Sequence, residues 1–346
     1  MSVCNFHTST FPQAIESPET TTTLSIIVPF FNEQEVLETF HQRLTVVLDS
    51  LSESCEIVYV DDGSDDNSLN IAQNFVESTT HIRCIALSRN FGKESAMSAG
   101  LEHSYGEAII VIDADLQDPP ELIPEMLAKW REGYDVVNMQ RRERRGETWF
   151  KRFSAACYYK LLNNITKLEV PENVGDFRLL SRKVVKHINE LPERNRYMKG
   201  IFSWPGFRQT TIQFDRDERF CGETKWNYIK LIALAMDGIT SFSIRPLRIA
   251  TLSGIIVAAS AFIYGSFILF KTLVHGDPVS GYPSIMLVML GLGGVQLLSV
   301  GLLGEYVGRV FVETKQRPLY LIDTIFEHPH KGGSAKKAKN KVVQAG

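Results

Sequence analysis

Val111-Ile-Asp-Ala-Asp-Leu-Gln-Asp-Pro-Pro-Glu-Leu122 carries three signals in close succession. It completes the apolar run that begins at Ala108, passes two carboxylates one residue apart, Asp113 and Asp115, and enters a helical pattern through a Pro-Pro pair. A β-run that ends in an acidic turn and a helix start is one unit of an alternating α/β chain. Two carboxylates this close repel each other unless a cation lies between them, so the turn also calls for a positive partner.

The same unit repeats on either side. Leu24-Ser-Ile-Ile-Val-Pro29 leads into a helix over 33–51, with Val36, Leu37, Phe40, Leu44, Val47 and Leu48 at helical spacing. Strands follow at 56–60, 82–87, 108–112 and 135–139, separated by helices at 66–76, 92–103 and 120–130. Apolar strands alternating with helices predict a parallel sheet covered on both faces. In such sheets ligands lie at the carboxyl ends of the strands, which is where Asp113 and Asp115 fall. Beyond residue 140 a helix with a basic face is expected over 148–163, and 174–217 shows no clean period.

Composition bounds the rest. The balance of 37 Lys+Arg against 40 Asp+Glu argues against nucleic-acid binding driven by bulk charge. The five cysteines, Cys4, Cys55, Cys84, Cys157 and Cys221, have no C-x-x-C spacing and read as reduced thiols of a cytosolic compartment. Residues 1–23 lack the basic start and apolar core of a signal peptide and read as a disordered extension. The stretches 250–270 and 278–304 hold no charged residue, and each exceeds the roughly 20 residues needed to cross a hydrocarbon core. Residues 226–242, apolar with isolated charges at Lys230 and Asp237, suit a helix lying on a membrane surface. Arg245, Arg248, Arg309, Lys315 and Arg317 flank the two runs, so the positive-inside rule puts both chain ends in the cytoplasm.

The carboxylates of Asp113-Ala-Asp115 are hard oxygen donors that suit Mg²⁺ or Mn²⁺ better than zinc. Such an ion commonly completes its shell with water and substrate phosphates. A turn or a helix cap is the bland alternative for an isolated D-x-D. Asp61-Asp-Gly-Ser64 and Pro29-Phe-Phe-Asn-Glu33 close two other strands at the same edge. The first is either a β-turn with Gly at positive φ or an acidic group for ribose hydroxyls and base edges. Arg141-Arg-Glu-Arg-Arg145 is the densest basic run, read as a solvated face, a nucleic-acid patch or a phosphate site. No aromatic residues interleave it, which counts against nucleic acid.

Taken in order, Pro29-Phe-Phe-Asn-Glu33, Val60-Asp-Asp-Gly-Ser64, Arg89-Asn-Phe-Gly92 and Asp113-Ala-Asp-Leu-Gln117 resemble the signature of family 2 glycosyltransferases of the GT-A fold. Arg219-Phe-Cys-Gly-Glu-Thr-Lys225 resembles the R-x-x-G-x-S/T-K element of polyprenyl-phosphate sugar transferases, the group that contains dolichol-phosphate mannose synthase. Gly304-Glu-Tyr-Val-Gly-Arg309 and Lys315-Gln-Arg-Pro318 are similar to the tail of bactoprenol glucosyltransferases. The match spans about residues 24 to 325.

The resemblance implies a Rossmann-like GT-A domain over 24–225, interfacial helices over 226–248, a two-helix transmembrane hairpin over 249–308 and a basic cytoplasmic tail over 309–346. It implies that Pro29, Phe31, Glu33, Asp61 and Asp62 line the nucleotide pocket. Phe31 stands where the family commonly has Tyr, which removes one hydrogen bond but keeps the ring. Asp113, with Ala114, would sit at the nucleotide-sugar, while Asp115 and Gln117, with Asp113 beside them, would hold the Mg²⁺ or Mn²⁺. Arg219 and Lys225 would grip the donor diphosphate. Arg141, Lys151 and Arg152 would bind the acceptor phosphate. Asp115, Arg141 and Asp176 form the expected catalytic set, with Asp176 either a base, a group that orients the acceptor, or the ion-pair partner of Arg178.

The implied reaction is inverting transfer of a sugar, UDP-glucose being the first donor to test, to undecaprenyl phosphate at the cytoplasmic face of a bacterial inner membrane. Other nucleotide-sugars are the alternative donors. A homo-oligomer is compatible with this reading, and nucleic acid is not among the expected partners. A processive polysaccharide synthase would need more spans and a Q-x-x-R-W element, and a dinucleotide-dependent oxidoreductase would need G-x-G-x-x-G after a strand; the chain has none of these. A membrane-tethered scaffold without turnover is the remaining alternative.

Overall fold

The computed structural model describes residues 22–142, 174–194, 196, 198–215, 245–275 and 281–328. The chain begins with β1 (Leu24–Phe30), α1 (Leu37–Asp49), β2 (Cys55–Asp61), α2 (Ser68–Ser78), β3 (Ile82–Leu87), α3 (Lys93–Glu102) and β4 (Ala108–Val111). A 3₁₀ turn, Pro120–Leu122, then leads into α4 (Ile123–Arg131) and β5 (Val136–Arg141). Next come β6 (Val174–Ser181), α5 (Arg182–Asn189), α6 (Met198–Ser203) and β7 (Gln209–Phe214). Two long helices, α7 (Arg245–His275) and α8 (Tyr282–Thr314), precede a last strand, β8 (Ile322–Glu327).

The eight strands form one sheet in the order β7-β5-β6-β4-β1-β2-β3-β8. β4, β1, β2 and β3 are parallel neighbours, as expected for strands linked by helical crossovers. Alternate residues of these strands point to opposite faces. Ile26, Val28, Ile57 and Tyr59 face one core with Leu37, Phe40 and Met126. Ile27, Val58, Val60 and Ile85 face the other with Met97, Leu101 and Val184. Full burial of each such side chain contributes roughly 1.5–3 kcal/mol, so the alternation fixes both strand register and helix placement.

The expected mostly parallel sheet is present, with two antiparallel strands whose places the sequence pattern did not show. β6 inserts between β4 and β5 and runs antiparallel to both. Its Asp176 and Arg178 interrupt the apolar pattern, which is why the segment shows no clean period. β8 lies within the stretch expected as a basic tail, yet residues 322–327 pair antiparallel with β3 and cover what would be an exposed edge. α1 also starts later than its apolar spacing suggests, because residues 32–34 are held in a loop network described below.

The two apolar runs form α7 and α8, which pack against each other. Among the described residues, Gly291–Thr314 is long and apolar enough to cross a membrane, while Ala250–Tyr264 is a shorter apolar helix. Of the two expected spans, one segment therefore meets the length and composition of a membrane crossing, and α7 runs on to His275, past the charge-free run that ends at residue 270. Most of the interfacial region at 226–248 lies outside the described residues, and 245–248 open α7.

α3 lies close on the sheet because its buried face is built of small residues, Ala96, Ser98, Ala99 and Gly100. A Cβ at Gly100 would overlap Cγ2 of Ile27. Helix propensity alone predicts that Gly100→Ala stabilises by about 1 kcal/mol. Packing opposes it with an overpacking penalty of about 1–3 kcal/mol, so the expected outcome is a lower melting temperature of the full chain in detergent.

Candidate active site

The carboxyl ends of β1 to β4 open onto one edge of the sheet. Pro29 is accommodated there because of the pleat: Ile27 O accepts from Ile112 N on the β4 side, whereas Phe30 O accepts from Asp62 N on the β2 side. The nitrogen of Pro29 thus faces the side from which β4 has departed, and no ladder bond is lost. Asn32, at φ 55°, turns the chain so that its N–H donates to Ser64 Oγ and its Oδ1 accepts from Asp65 N. Glu33 N donates to Ser68 Oγ at 2.8 Å. The loops after β1 and β2 are thereby joined, while the Phe31 ring stays exposed.

Asp61 and Asp62 are both buried. Asp61 accepts the N–H of Ser64 at 3.1 Å, closing the turn in which Gly63 takes φ 71°. Asp62 reaches across to the next loop, where its two oxygens accept Phe91 N at 2.8 Å and Gly92 N at 2.9 Å. Burial raises both carboxyls above the ordinary value, against hydrogen bonds that pull them down. A Cβ on Gly63 would lie 2.7 Å from Asn90 N, so the two loops touch through backbone. A cavity of about 400 Å³ opens beside them, lined by Asp61, Ser64, Arg89, Asn90 and Asp323. The Arg89 guanidinium stacks 4.2 Å from the centroid of the Phe91 ring.

At the end of β4 the turn is drawn tight by Leu116, whose φ of 60° is costly for a residue with a γ-branch. Its buried side chain belongs to the core, and that anchorage holds the strained backbone in place. Asp115 Oδ1 accepts Gln117 N at 3.2 Å, so these two side chains share one small loop, with Ala114 buried between the acids.

A cation already stands against the first acid of the opening segment, the ammonium of Lys93. Its Nζ lies 2.6 Å from Asp113 Oδ1 and 2.8 Å from Oδ2, and 2.6 Å from Asp176 Oδ2. Burial opposes the ammonium charge, but Asp113 and Asp176 outweigh it and hold Lys93 above the ordinary lysine value. Burial raises Asp113, against the pull of Lys93, and Asp176 and Asp115 add to the rise.

Asp176 reaches this position because β6 is antiparallel to β4. Val111 pairs with Arg178, so the start of β6 extends past the end of β4 into the site. Arg178 donates to Gly175 O at 2.6 Å and lies over the Phe202 ring. Arg141, at the end of β5, is also near, since a Cβ on Gly175 would stand 3.0 Å from Arg141 Nη2.

The structure thus gathers Asp113, Asp115, Gln117, Arg141 and Asp176 on one side of the open edge, and Pro29, Phe31, Glu33, Asp61 and Asp62 on the other. Lys151, Arg152, Arg219 and Lys225 lie outside the described residues. Two residues at the edge escaped the reading of the sequence. Lys93 follows directly on Arg89-Asn-Phe-Gly92, and a cation at the first position of a helix opposes the helix dipole; that anomaly was the available signal. Asp323 had none, because only the pairing of β8 brings it to the cavity.

The fold places an acidic strand-end cluster at the open edge of a mostly parallel α/β sheet, and sequence comparison assigns the class. Glycosyl transferase family 2 matches residues 25–188, and the GtrB C-terminal hairpin matches residues 245–310. The chain is 52% identical over 303 residues to an uncharacterized glycosyltransferase of Synechocystis sp., covering 88% of this chain and 95% of that one. It is 46% identical to a prophage bactoprenol glucosyl transferase homolog of Escherichia coli, over 87% of this chain and 99% of the relative. It is also 46% identical to the bactoprenol glucosyl transferase of Shigella phage SfX, over 86% and 98%. The chain belongs to glycosyl transferase family 2, and it is a glycosyltransferase.

The bonds of Asp62 give it a loop-joining role, which can be separated from a direct nucleotide contact. Asp62→Ala leaves the N–H groups of Phe91 and Gly92 without their acceptor, at about 1–3 kcal/mol. The expected outcome is a fall in melting temperature together with weaker donor binding, read by thermal shift and calorimetry; a direct contact alone would weaken donor binding at unchanged melting temperature.

Proposed function

We propose that the protein transfers a sugar, glucose from UDP-glucose in the first instance, to a polyprenyl phosphate such as undecaprenyl phosphate at a membrane surface. One observation carries the reading: Asp113 and Asp176 converge at the open end of the sheet, beside Asp115, Gln117 and Arg141, in a chain that continues into long apolar helices. Support comes from relatives named bactoprenol glucosyl transferase that align over nearly their whole length.

The donor nucleoside occupies the cavity between the ends of β2 and β3, with Asp61 and Arg89 at its wall. Its sugar points toward Asp113 and Asp176. Arg219 and Lys225 bind the diphosphate, and Arg141, Lys151 and Arg152 bind the acceptor phosphate, by charge-assisted contacts that Arg makes as a planar fork and Lys as a point charge. The acceptor oxygen is largely ionised at neutral pH, by analogy with phosphorylated side chains whose second pKa is about 6. No strong base is therefore required, and Asp176 orients the acceptor. A single displacement inverts the anomeric carbon.

The residues of the β4 turn fit a divalent ion of the Mg²⁺ or Mn²⁺ kind. Their donors are hard oxygens, and such an ion commonly completes its shell with phosphate and water. Asp115 and Gln117 would hold it, with Asp113 beside them. Bound there, it offsets the charge that grows on the departing diphosphate.

α7 and α8 form a two-helix hairpin through the bacterial inner membrane, with both chain ends in the cytoplasm. Their exposed side chains, among them Ile255, Phe262, Phe267, Val288, Leu297 and Phe311, make an apolar surface of the kind that water does not tolerate and lipid does. A polyprenyl chain cannot leave the bilayer, so such an anchor keeps the sheet edge near the headgroups.

Membranes containing the protein are expected to transfer label from UDP-glucose to undecaprenyl phosphate, and EDTA is expected to abolish the transfer. Absence of labelled lipid with every nucleotide-sugar tried would overturn the reading. Asp115→Asn is expected to lower turnover by at least about a hundredfold, since even partners outside the coordination shell are worth about 10–100-fold.

A further inference from the structure

The ammonium of Lys93 connects three elements that are far apart in sequence. Lys93 is the first residue of α3, Asp113 follows β4, and Asp176 stands in β6. The base of this side chain is fixed from behind, because Asp62 holds the amides of Phe91 and Gly92 and Gly92 turns the chain at φ 96°. From that fixed point the Nζ meets both carboxylates at 2.6 Å. The two acids are mostly covered, at 18% and 17% side-chain exposure, whereas Lys93 is 43% exposed. The Lys93 side chain is thus the least covered member of the cluster, with its ammonium engaged by both acids.

That geometry divides the two acids of the β4 turn. Both oxygens of Asp113 lie against the ammonium, and a divalent cation sharing them would stand within a few ångströms of another positive charge. Asp115 accepts the amide of Gln117 within its own loop. We propose that Lys93 is a positioning residue of the transfer site: it holds Asp113 and Asp176 together and withholds Asp113 from the metal, leaving Asp115 as the metal-facing carboxylate. Two consequences follow. The sugar and acceptor side of the site is preassembled before any ligand binds, because one ammonium sets the separation of Asp113 and Asp176. The metal binds next to a fixed positive charge, so its intrinsic affinity is restrained and the donor diphosphate completes its shell. The positioning part rests on the glycosyl-transfer reading given above; the division between Asp113 and Asp115 does not.

The test uses the full chain in detergent, with Lys93→Met, Lys93→Arg and the double variant Lys93→Met/Asp113→Asn, each checked for an unchanged elution profile and melting curve. Mn²⁺ binding is read without substrates, from the paramagnetic resonance signal of the free ion. Removing the ammonium frees Asp113 and lifts a repulsion, so Lys93→Met is expected to bind Mn²⁺ at least about threefold more tightly. The gain should vanish in the double variant and be absent in Lys93→Arg. In the transfer assay Lys93→Met is expected to lose about 10–100-fold in kcat with a smaller change in donor KM, and Lys93→Arg to recover part of it. Mn²⁺ affinity that is unchanged or weaker in Lys93→Met would overturn the division of the acids, and kcat within about twofold of the parent would overturn the positioning role. If the parent chain makes no glycolipid at all, the function is wrong, yet the Mn²⁺ comparison still decides how Asp113 and Lys93 are paired.

Discussion

The buried carboxylate of Asp62 is where the architecture of the site begins. By accepting the amides of Phe91 and Gly92, it fixes the loop between β3 and α3 against the end of β2. The first residue of α3 is Lys93, and its reach to Asp113 and Asp176 depends on that loop staying where Asp62 holds it. A carboxylate that satisfies two amides is well suited to this task, because its acceptors are charged and the amides of a turn at Gly92 have no helical partner of their own. The acidic pair at the end of β2 thus shapes the site as much as it lines it.

The second constraint is the antiparallel strand β6. In a sheet made only of parallel strands, every strand start lies at the edge away from the ligand. One reversed strand brings its beginning, and with it Gly175 and Asp176, to the carboxyl edge beside Asp113. The same reversal lets the end of β5 deliver Arg141 next to Gly175. Acid, cation and acidic turn therefore meet through topology, although 60 residues and more separate some of them in the chain.

The end of the second long helix is tied to the domain. Beyond α8 the chain returns to the sheet as β8 and lays Asp323 along the cavity by the ends of β2 and β3. Glu313, near the end of α8, accepts the amide of Arg194 at 2.9 Å, and Tyr320 donates its hydroxyl to Glu102 of α3. The pair of apolar helices thus falls between β7 and β8 in chain order, and the segment that leaves them forms part of the wall of the pocket.

Local pattern was enough for the first five strands and their helices, because periods of two and of three to four residues report directly which side chains face a core. It was enough also for the strand-end acids, since polar residues interrupting an apolar run mark the edge of a sheet. Pattern could not show that β6 runs backwards, as its two charged residues mask the alternation, nor that residues 322–327 return to the sheet, since a six-residue strand gains its stability from pairing with β3. Least visible was the partner of Asp113. Repulsion between Asp113 and Asp115 is a property of adjacent residues and can be read from the chain. The ammonium that meets Asp113 comes from Lys93, and only the folding of three separate elements onto one edge brings a charge from that distance within 2.6 Å.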